Sequence, residues 1–205
     1  MSGSIDIAIR CDGLEAEMRR VEKVIATLGL IKEQKAYRMA LRAALTSARK
    51  EAARVARTFY TARKAKIFDN VEVKYAEGRL ILRAAPGMSL THFKPTPAVP
   101  GVRPSGGVTS QVKRGGPRYA HRDRRYSHDA PFIMPKKQGG LGIFVREKGH
   151  KFKDWKGVHM LFGPSPIQSL MRRDNQELVA ERATETFRET IQQQIDKLLA
   201  AAGGR

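Results

Sequence analysis

The fold is decided by residues 37–62, which read YRMALRAALTSARKEAARVARTFYTA. Apolar and small side chains recur there every three or four residues, as on one face of an α-helix. The stripe consists of Tyr37, Leu41, Ala44, Leu45, Ala48, Ala52, Val55 and Phe59. The pattern predicts a long helix from about Gln34 to Ala62, and its alanines allow another element to approach closely. We expect the stripe to lie in the core or in a subunit interface.

Two more amphipathic helices are predicted on either side of this segment. The first covers residues 13–29 and ends near Gly29, and the second covers residues 176–201. Their apolar stripes are Leu14, Met18, Val21, Ile25 and Leu28 in the first helix, and Val179, Ala183, Phe187, Ile191, Ile195 and Leu198 in the second. Both stripes need a partner surface, because packing of the apolar face provides most of a helix's stability.

Alternating apolar and polar residues predict short antiparallel strands. Residues 5–9 (IDIAI) form one, and residues 71–84 (VEVKYAEGRLILRA) indicate a hairpin that turns at Glu77 and Gly78. A second hairpin joins residues 132–134 to 141–146 through two glycines. Between the hairpins we expect a long proline-rich excursion that returns to the sheet near residues 108–112, followed by a mobile loop over Arg118–Asp129.

These elements predict an α+β fold, with N-terminal helices and a long C-terminal helix around a small antiparallel β-sheet with long loops. A chain of 205 residues suits a single domain. We divide it into an N-terminal helical part (1–66), a β-rich part (67–162) with a basic loop (101–130), and a C-terminal helical part (163–205).

The chain is strongly basic, with a formal charge of +19 from 39 Lys and Arg against 20 Asp and Glu. Two regions carry the excess: residues 32–66 hold 11 basic and 2 acidic side chains, and residues 101–156 hold 14 and 4. Residues 172–205 hold six of each sign and are neutral. Like charges repel unless something neutralises them, so this pattern indicates a polyanion or a strongly acidic partner.

Six cations of the second basic region are candidates to face DNA: Lys113, Arg114, Arg118, Arg122, Arg124 and Arg125. Tyr119 and Tyr126 stand among them, a composition typical of sites where bases stack beside phosphate contacts. No base-reading motif accompanies them, so we expect contacts to the phosphate backbone. Two other interpretations stay open: a flexible basic loop that keeps the protein soluble, and, for residues 32–66, the solvated face of a helix.

The sequence contains no recognisable catalytic or cofactor motif. Cys11 is the single cysteine, so an intramolecular disulfide cannot form. One cluster has metal-ligating side chains: His121, Asp123, His128 and Asp129. Four arginines in the same stretch oppose a bound cation, so we interpret the cluster as solvated loop residues. We predict a protein that is not an enzyme and that binds no metal or cofactor.

The chain also lacks membrane and export signals. No uncharged apolar run reaches the length of a membrane span, and residues 1–13 lack the pattern of a signal peptide. We therefore expect a protein made in the cytosol, without a membrane partner.

Four segments, in their order and spacing, carry a family resemblance. They are the alanine- and arginine-rich helix over 37–67, LILRAAPGMSLTHFKPTP (80–97), the pair VTSQVKRGG (108–116) and PFIMPKKQGGLGIFVREKG (131–149), and HMLFGPSPIQSLM (159–171) before the terminal helix. In these segments the chain resembles the prophage minor tail protein Z family, the tail completion proteins of long-tailed bacteriophages. The first 30 residues contain no matching motif.

The resemblance implies a structural virion protein at the head-proximal end of the tail. It would assemble from host cytoplasm into a ring of identical subunits, for example a hexamer, and contact the tail terminator or tube, the head connector and genomic DNA in the lumen. Its subunit-interface candidates are Leu161, Phe162, Pro164, Phe187, Ile191, Ile195 and Leu198. The alternative is a monomeric or dimeric protein that binds nucleic acids without sequence preference. A neutral terminal helix with an apolar stripe favours the ring, since a free nucleic-acid binder does not need it.

Overall fold

The computed structural model describes residues 4–28, 31–100, 107–120, 130–137, 139–147, 149–150 and 156–203. Four α-helices occur in these ranges: α1 (Asp12–Leu28), α2 (Ile31–Phe59), α3 (Lys64–Asp69) and α4 (Arg173–Gly203). Short 3₁₀ helices cover Leu90–His92 and Pro166–Met171. The predicted α+β fold is confirmed, and its three long helices begin and end within a few residues of the predicted limits.

The first antiparallel sheet has the order β1–β3–β2, with β1 at Ile5–Arg10, β2 at Val71–Ala76 and β3 at Arg79–Ala84. The β2–β3 hairpin is confirmed. It turns through Glu77 and Gly78 at φ 50° and 73°, the left-handed conformation that two-residue hairpin turns require. The strand pairing of β1 with β3 brings the N-terminal part of the chain into the same sheet as the β-rich part.

The second antiparallel sheet has the order β6–β7–β8, with β6 at Phe132–Pro135, β7 at Leu141–Arg146 and β8 at Val158–Met160. Its β6–β7 hairpin is the second predicted one. Gly142 in β7 has a packing reason: a Cβ there would lie 2.5 Å from the ring of Phe144.

The proline-rich excursion forms a separate ribbon. Among the described residues, β4 (Thr109–Ser110) pairs with β5 (Tyr119–Ala120) and bridges Thr96 through Thr109, but it joins neither three-stranded sheet, so the prediction that this excursion returns to the main sheet is wrong. The predicted mobile loop is also wrong near its start, because Tyr119 and Ala120 form β5. Its remaining residues, 121–129, lie outside the described ranges.

Helices α2 and α4 pack against each other in opposite directions. The α2 side of the contact is a ridge of buried alanines with one at every fourth residue: Ala36, Ala40, Ala44, Ala48, Ala52 and Ala56. The α4 side is a ridge of larger residues with the same spacing: Val179, Ala183, Phe187, Ile191 and the partly buried Ile195. Ridges of residues four apart interdigitate well between helices, and small side chains let the two backbones approach closely.

The first sheet covers the core with one face and meets solvent with the other. Its inner residues include Ile9, Leu80 and Leu82, all almost fully buried. Its outer face carries charged residues, including the pair Asp6 and Arg83, which lie opposite each other on β1 and β3 and form an ion pair of 2.7 Å. The Pro166–Met171 helix packs against this sheet as well as against α2 and α4, which joins the helices and the sheet in one core.

Candidate polyanion-binding surface

Helix α2 carries exposed cations that the fold does not neutralise. Lys35, Arg38, Arg42, Lys50 and Arg57 are exposed, and none of them forms an ion pair with any described residue. Exposed, unpaired cations retain counterions from solvent, and a polyanion gains free energy by releasing them. This face is therefore suited to a polyanionic partner.

The two other arginines of α2 have partners within the chain. Arg54 donates to both carboxylate oxygens of Glu51, at 2.9 and 2.8 Å. Arg49 lies 4.0 Å above the ring of Phe68 and donates to its carbonyl oxygen at 2.9 Å. These arginines support the fold, so among the side chains of α2 that the structure describes, the unpaired positive charge belongs to the five residues of the exposed face.

The second basic region reaches the C-terminal end of α2. The amide of Arg114 donates to the carbonyl oxygen of Phe59 at 2.9 Å, and Lys113 forms a β-bridge with Tyr60. The guanidinium of Arg172 lies 5.3 Å from the centre of the Phe59 ring. Cations at this position are favoured by the partial negative charge of a helix C-terminus. Residues 113–114 of the second basic region therefore adjoin the C-terminal end of α2.

The candidate DNA-facing residues fall into three groups. Lys113 and Arg114 are exposed in a turn closed by a 3.2 Å hydrogen bond from the amide of Gly116 to the carbonyl of Lys113. Arg118 is also exposed, but its guanidinium donates to the carbonyl oxygen of Lys94 at 2.5 Å and bonds the hydroxyl of Thr96, so it anchors the β4–β5 ribbon. The remaining candidates lie outside the described residues: Arg122, Arg124 and Arg125.

The charges of α4 are arranged differently from those of α2. Arg173 pairs with Glu177 at 2.8 Å and Arg182 with Glu185 at 3.1 Å, both within the helix. Arg188 pairs with Glu17 of α1 at 2.9 Å. The cations of α4 are therefore largely neutralised by neighbours, as the neutral composition of this segment indicates.

An open groove of about 550 Å³ lies between α2 and α4. Its lining residues are Arg42, Ala43, Thr46, Ser47, Lys50, Glu51, Arg54, Arg182, Thr186 and Glu189. The hydroxyls of Ser47 and Thr186 meet across it at 2.8 Å. Sequence reasoning missed the groove, because its two walls are well over a hundred residues apart along the chain.

The subunit-interface candidates divide by burial. Phe187 and Ile191 belong to the core of the chain itself, which corrects their assignment to a subunit surface: their apolar spacing is explained by α2. Leu161 and Ile195 are partly buried against the same core, Pro164 is also partly buried, and the side chain of Leu198 lies outside the described set. Phe162 is different, since 60% of it is exposed although its segment is fixed by a bridge to Ser89.

Burial shifts the pKa of several groups, among them Cys11 and His92. Burial of Cys11 raises the pKa of its thiol to about 11, so the reactive thiolate is rare at neutral pH. Burial lowers the pKa of His92, with Lys66 and Lys136 adding repulsion, so this imidazole is held neutral.

No group of three His, Cys, Asp or Glu suited to a metal ion occurs among the described residues, and the cluster His121, Asp123, His128 and Asp129 lies outside them. Within the described part of the chain, no helix is long and apolar enough to cross a membrane. No family model, curated protein or solved structure matches the chain.

Proposed function

We propose that the chain is a structural subunit of a tailed bacteriophage, which completes the tail at its head-proximal end and helps to join heads to tails around DNA. The observation that carries the proposal is the segregation of charge. Helix α2 carries unpaired cations, the exposed Lys113 and Arg114 adjoin its C-terminal end, and three of the four cations of α4 are paired. A ring around DNA needs such a surface toward its lumen, because acidic groups there would repel phosphates.

The subunit must also offer contacts to copies of itself. Phe162 supports this part of the proposal, because a 60% exposed aromatic side chain on a fixed segment is a typical anchor of a protein interface. Two further exposed apolar residues add to it: Met171, at the end of the 3₁₀ helix before α4, is 65% exposed, and Leu178 in α4 is 41% exposed. The tail terminator or tube and the head connector are the expected neighbours of the ring.

The experiment combines Lys113→Gln with Arg114→Gln and measures the yield of joined, DNA-filled particles. We expect normal folding, since exposed loop charges contribute little to stability, and fewer joined particles. Lys74→Gln with Arg79→Gln, on the outer face of the first sheet, is the matched control with the same loss of charge. Normal yields from the first variant would remove the support for a DNA-facing role of this turn.

A sequence-nonspecific nucleic-acid-binding protein of one or two subunits is the second candidate, because the same cations favour it. The mass of the purified protein separates the two, as a ring contains more than two copies. Phe162→Ser should reduce the ring to smaller species while DNA affinity per subunit is kept. A protein that stays monomeric or dimeric at all concentrations and still binds DNA would favour the second candidate.

A further inference from the structure

The open groove between α2 and α4 has one strongly basic wall. Its α2 side is formed by Arg42, Thr46, Lys50 and Arg54, each one helical turn after the last, which spaces them by about 6 Å along the axis. Arg57 is exposed just beyond this wall, three residues after Arg54.

The acidic groups of the groove do not cancel this charge. Glu51 is engaged by Arg54 through both carboxylate oxygens. On the α4 wall, Arg182 is paired with Glu185, and Glu189 stands one turn further along. Arg42 and Lys50 have no ion-pair partner in the part of the chain that the structure describes, so the wall formed by α2 has a surplus of positive charge.

The groove lacks what a protein partner would need. Ala43 is its single apolar lining residue, and the lining contains no aromatic, methionine or leucine side chain. Protein interfaces usually place such residues at their centre as anchors. Hydroxyls and guanidinium groups, by contrast, are the usual donors to phosphate oxygens, and arginine can bind a phosphate through two hydrogen bonds.

We infer that the exposed face of α2, from Arg42 to Arg57, binds the phosphate backbone of double-stranded DNA as a second contact beside the turn at residues 113–114. This inference rests on the proposed function, because it assumes that this side of the molecule meets a nucleic acid. It assigns a role to the basic helix, for which the sequence alone left a solvated face equally open. Binding is independent of base sequence, since the groove reads charge and not base edges.

The test is the salt dependence of binding to a mixed-sequence DNA duplex. R42Q/K50Q/R57Q removes three unpaired cations of α2, and R173Q/R188Q/K197Q removes three cations of α4 that do not line the groove, with the same change of net charge. If each α2 cation neutralises one phosphate, the slope of log affinity against log salt should become shallower by about 2 to 3. The α4 variant should keep the slope of the parent protein.

The outcomes separate this inference from the proposed function. A parental slope for the α2 variant, with a shallower slope for K113Q/R114Q, would overturn the inference and leave the proposed function standing. No binding of DNA by the parent at low salt would overturn both. Binding of poly-glutamate as tightly as DNA, with the same dependence on α2, would overturn the inference in favour of an acidic protein partner. Thermal unfolding of each variant checks that the fold is retained.

Discussion

Helices α2 and α4 have nearly the same length, 29 and 31 residues, and pack antiparallel. Their packing faces and their solvent-exposed faces nevertheless differ in composition. Toward each other, α2 presents alanines and α4 presents larger side chains such as Phe187. Toward solvent, α2 presents unpaired cations and α4 presents ion pairs. Three of the four cations of α4 therefore already have partners in the fold, and the five exposed cations of α2 are available to another molecule.

The largest expected effect on stability comes from a substitution on the α4 side of the helix contact. Phe187→Ala should lower the free energy of unfolding by about 3 to 5 kcal/mol, because the ring is fully buried and packs edge-on against Tyr37 at 5.9 Å. Urea unfolding measures the loss. Gln192→Ala, at an exposed position of α4, should stay close to the parent. Equal stability of the two variants would mean that α4 does not pack as described.

On the α2 side of the helix contact, enlarging a side chain should lower stability. Ala48→Leu should cost about 1 to 3 kcal/mol, because the alanine is completely buried in the helix contact and extra methylenes force the backbones apart. The control is Ala65→Leu on α3, where the side chain is exposed and has room. An Ala48→Leu protein as stable as the parent in the same urea titration would contradict close packing at this ridge.

Substitutions on the exposed, charged faces of the two helices should change stability less than those in the helix contact, and the loss should be larger on α4 than on α2. Arg188→Gln should lower stability by about 0.2 to 1 kcal/mol, since it removes the ion pair with Glu17. Arg42→Gln should leave stability unchanged or raise it slightly, because the guanidinium lies in the middle of α2, has no ion-pair partner among the described residues and stands in a positive field. A larger loss from Arg42→Gln than from Arg188→Gln would reverse the comparison.

Elements with a strong local period could be predicted from the sequence, and contacts between distant segments could not. The stripe from Tyr37 to Phe59 and the turn at Glu77 and Gly78 fix their elements by local geometry. A stripe on a single helix, however, does not show what covers it, which is why the sequence makes Phe187 only a candidate for a subunit interface. Two features depend on tertiary packing alone: the groove between α2 and α4, and the docking of Arg114 on Phe59.

The smallest expected effect is a pH dependence of stability at His92, in the short 3₁₀ helix Leu90–His92. His92 has a lowered pKa in the folded protein, from burial and from Lys66 and Lys136, so below the ordinary value of 6.5 the unfolded chain binds more protons than the folded one. Stability should therefore fall as the pH falls from about 6.5 and level off below the folded pKa. His92→Gln should remove this part of the pH dependence in thermal unfolding measured from pH 7.5 to 5.5. If the His92→Gln protein loses as much stability between pH 7.5 and 5.5 as the parent does, His92 is not the source of this pH dependence.

The central claim is that the α2 side faces a polyanion and the α4 side does not, and lysine footprinting of the unmodified protein tests it most directly. Lysines are acetylated with and without saturating duplex DNA at low salt, and the modified residues are identified by mass spectrometry. Lys50 and Lys113 should be protected by DNA, whereas Lys197 on α4 and Lys74 on the outer face of the first sheet, both exposed, should react as before. Equal protection of all four lysines, or protection of Lys197 without Lys50, would contradict the account.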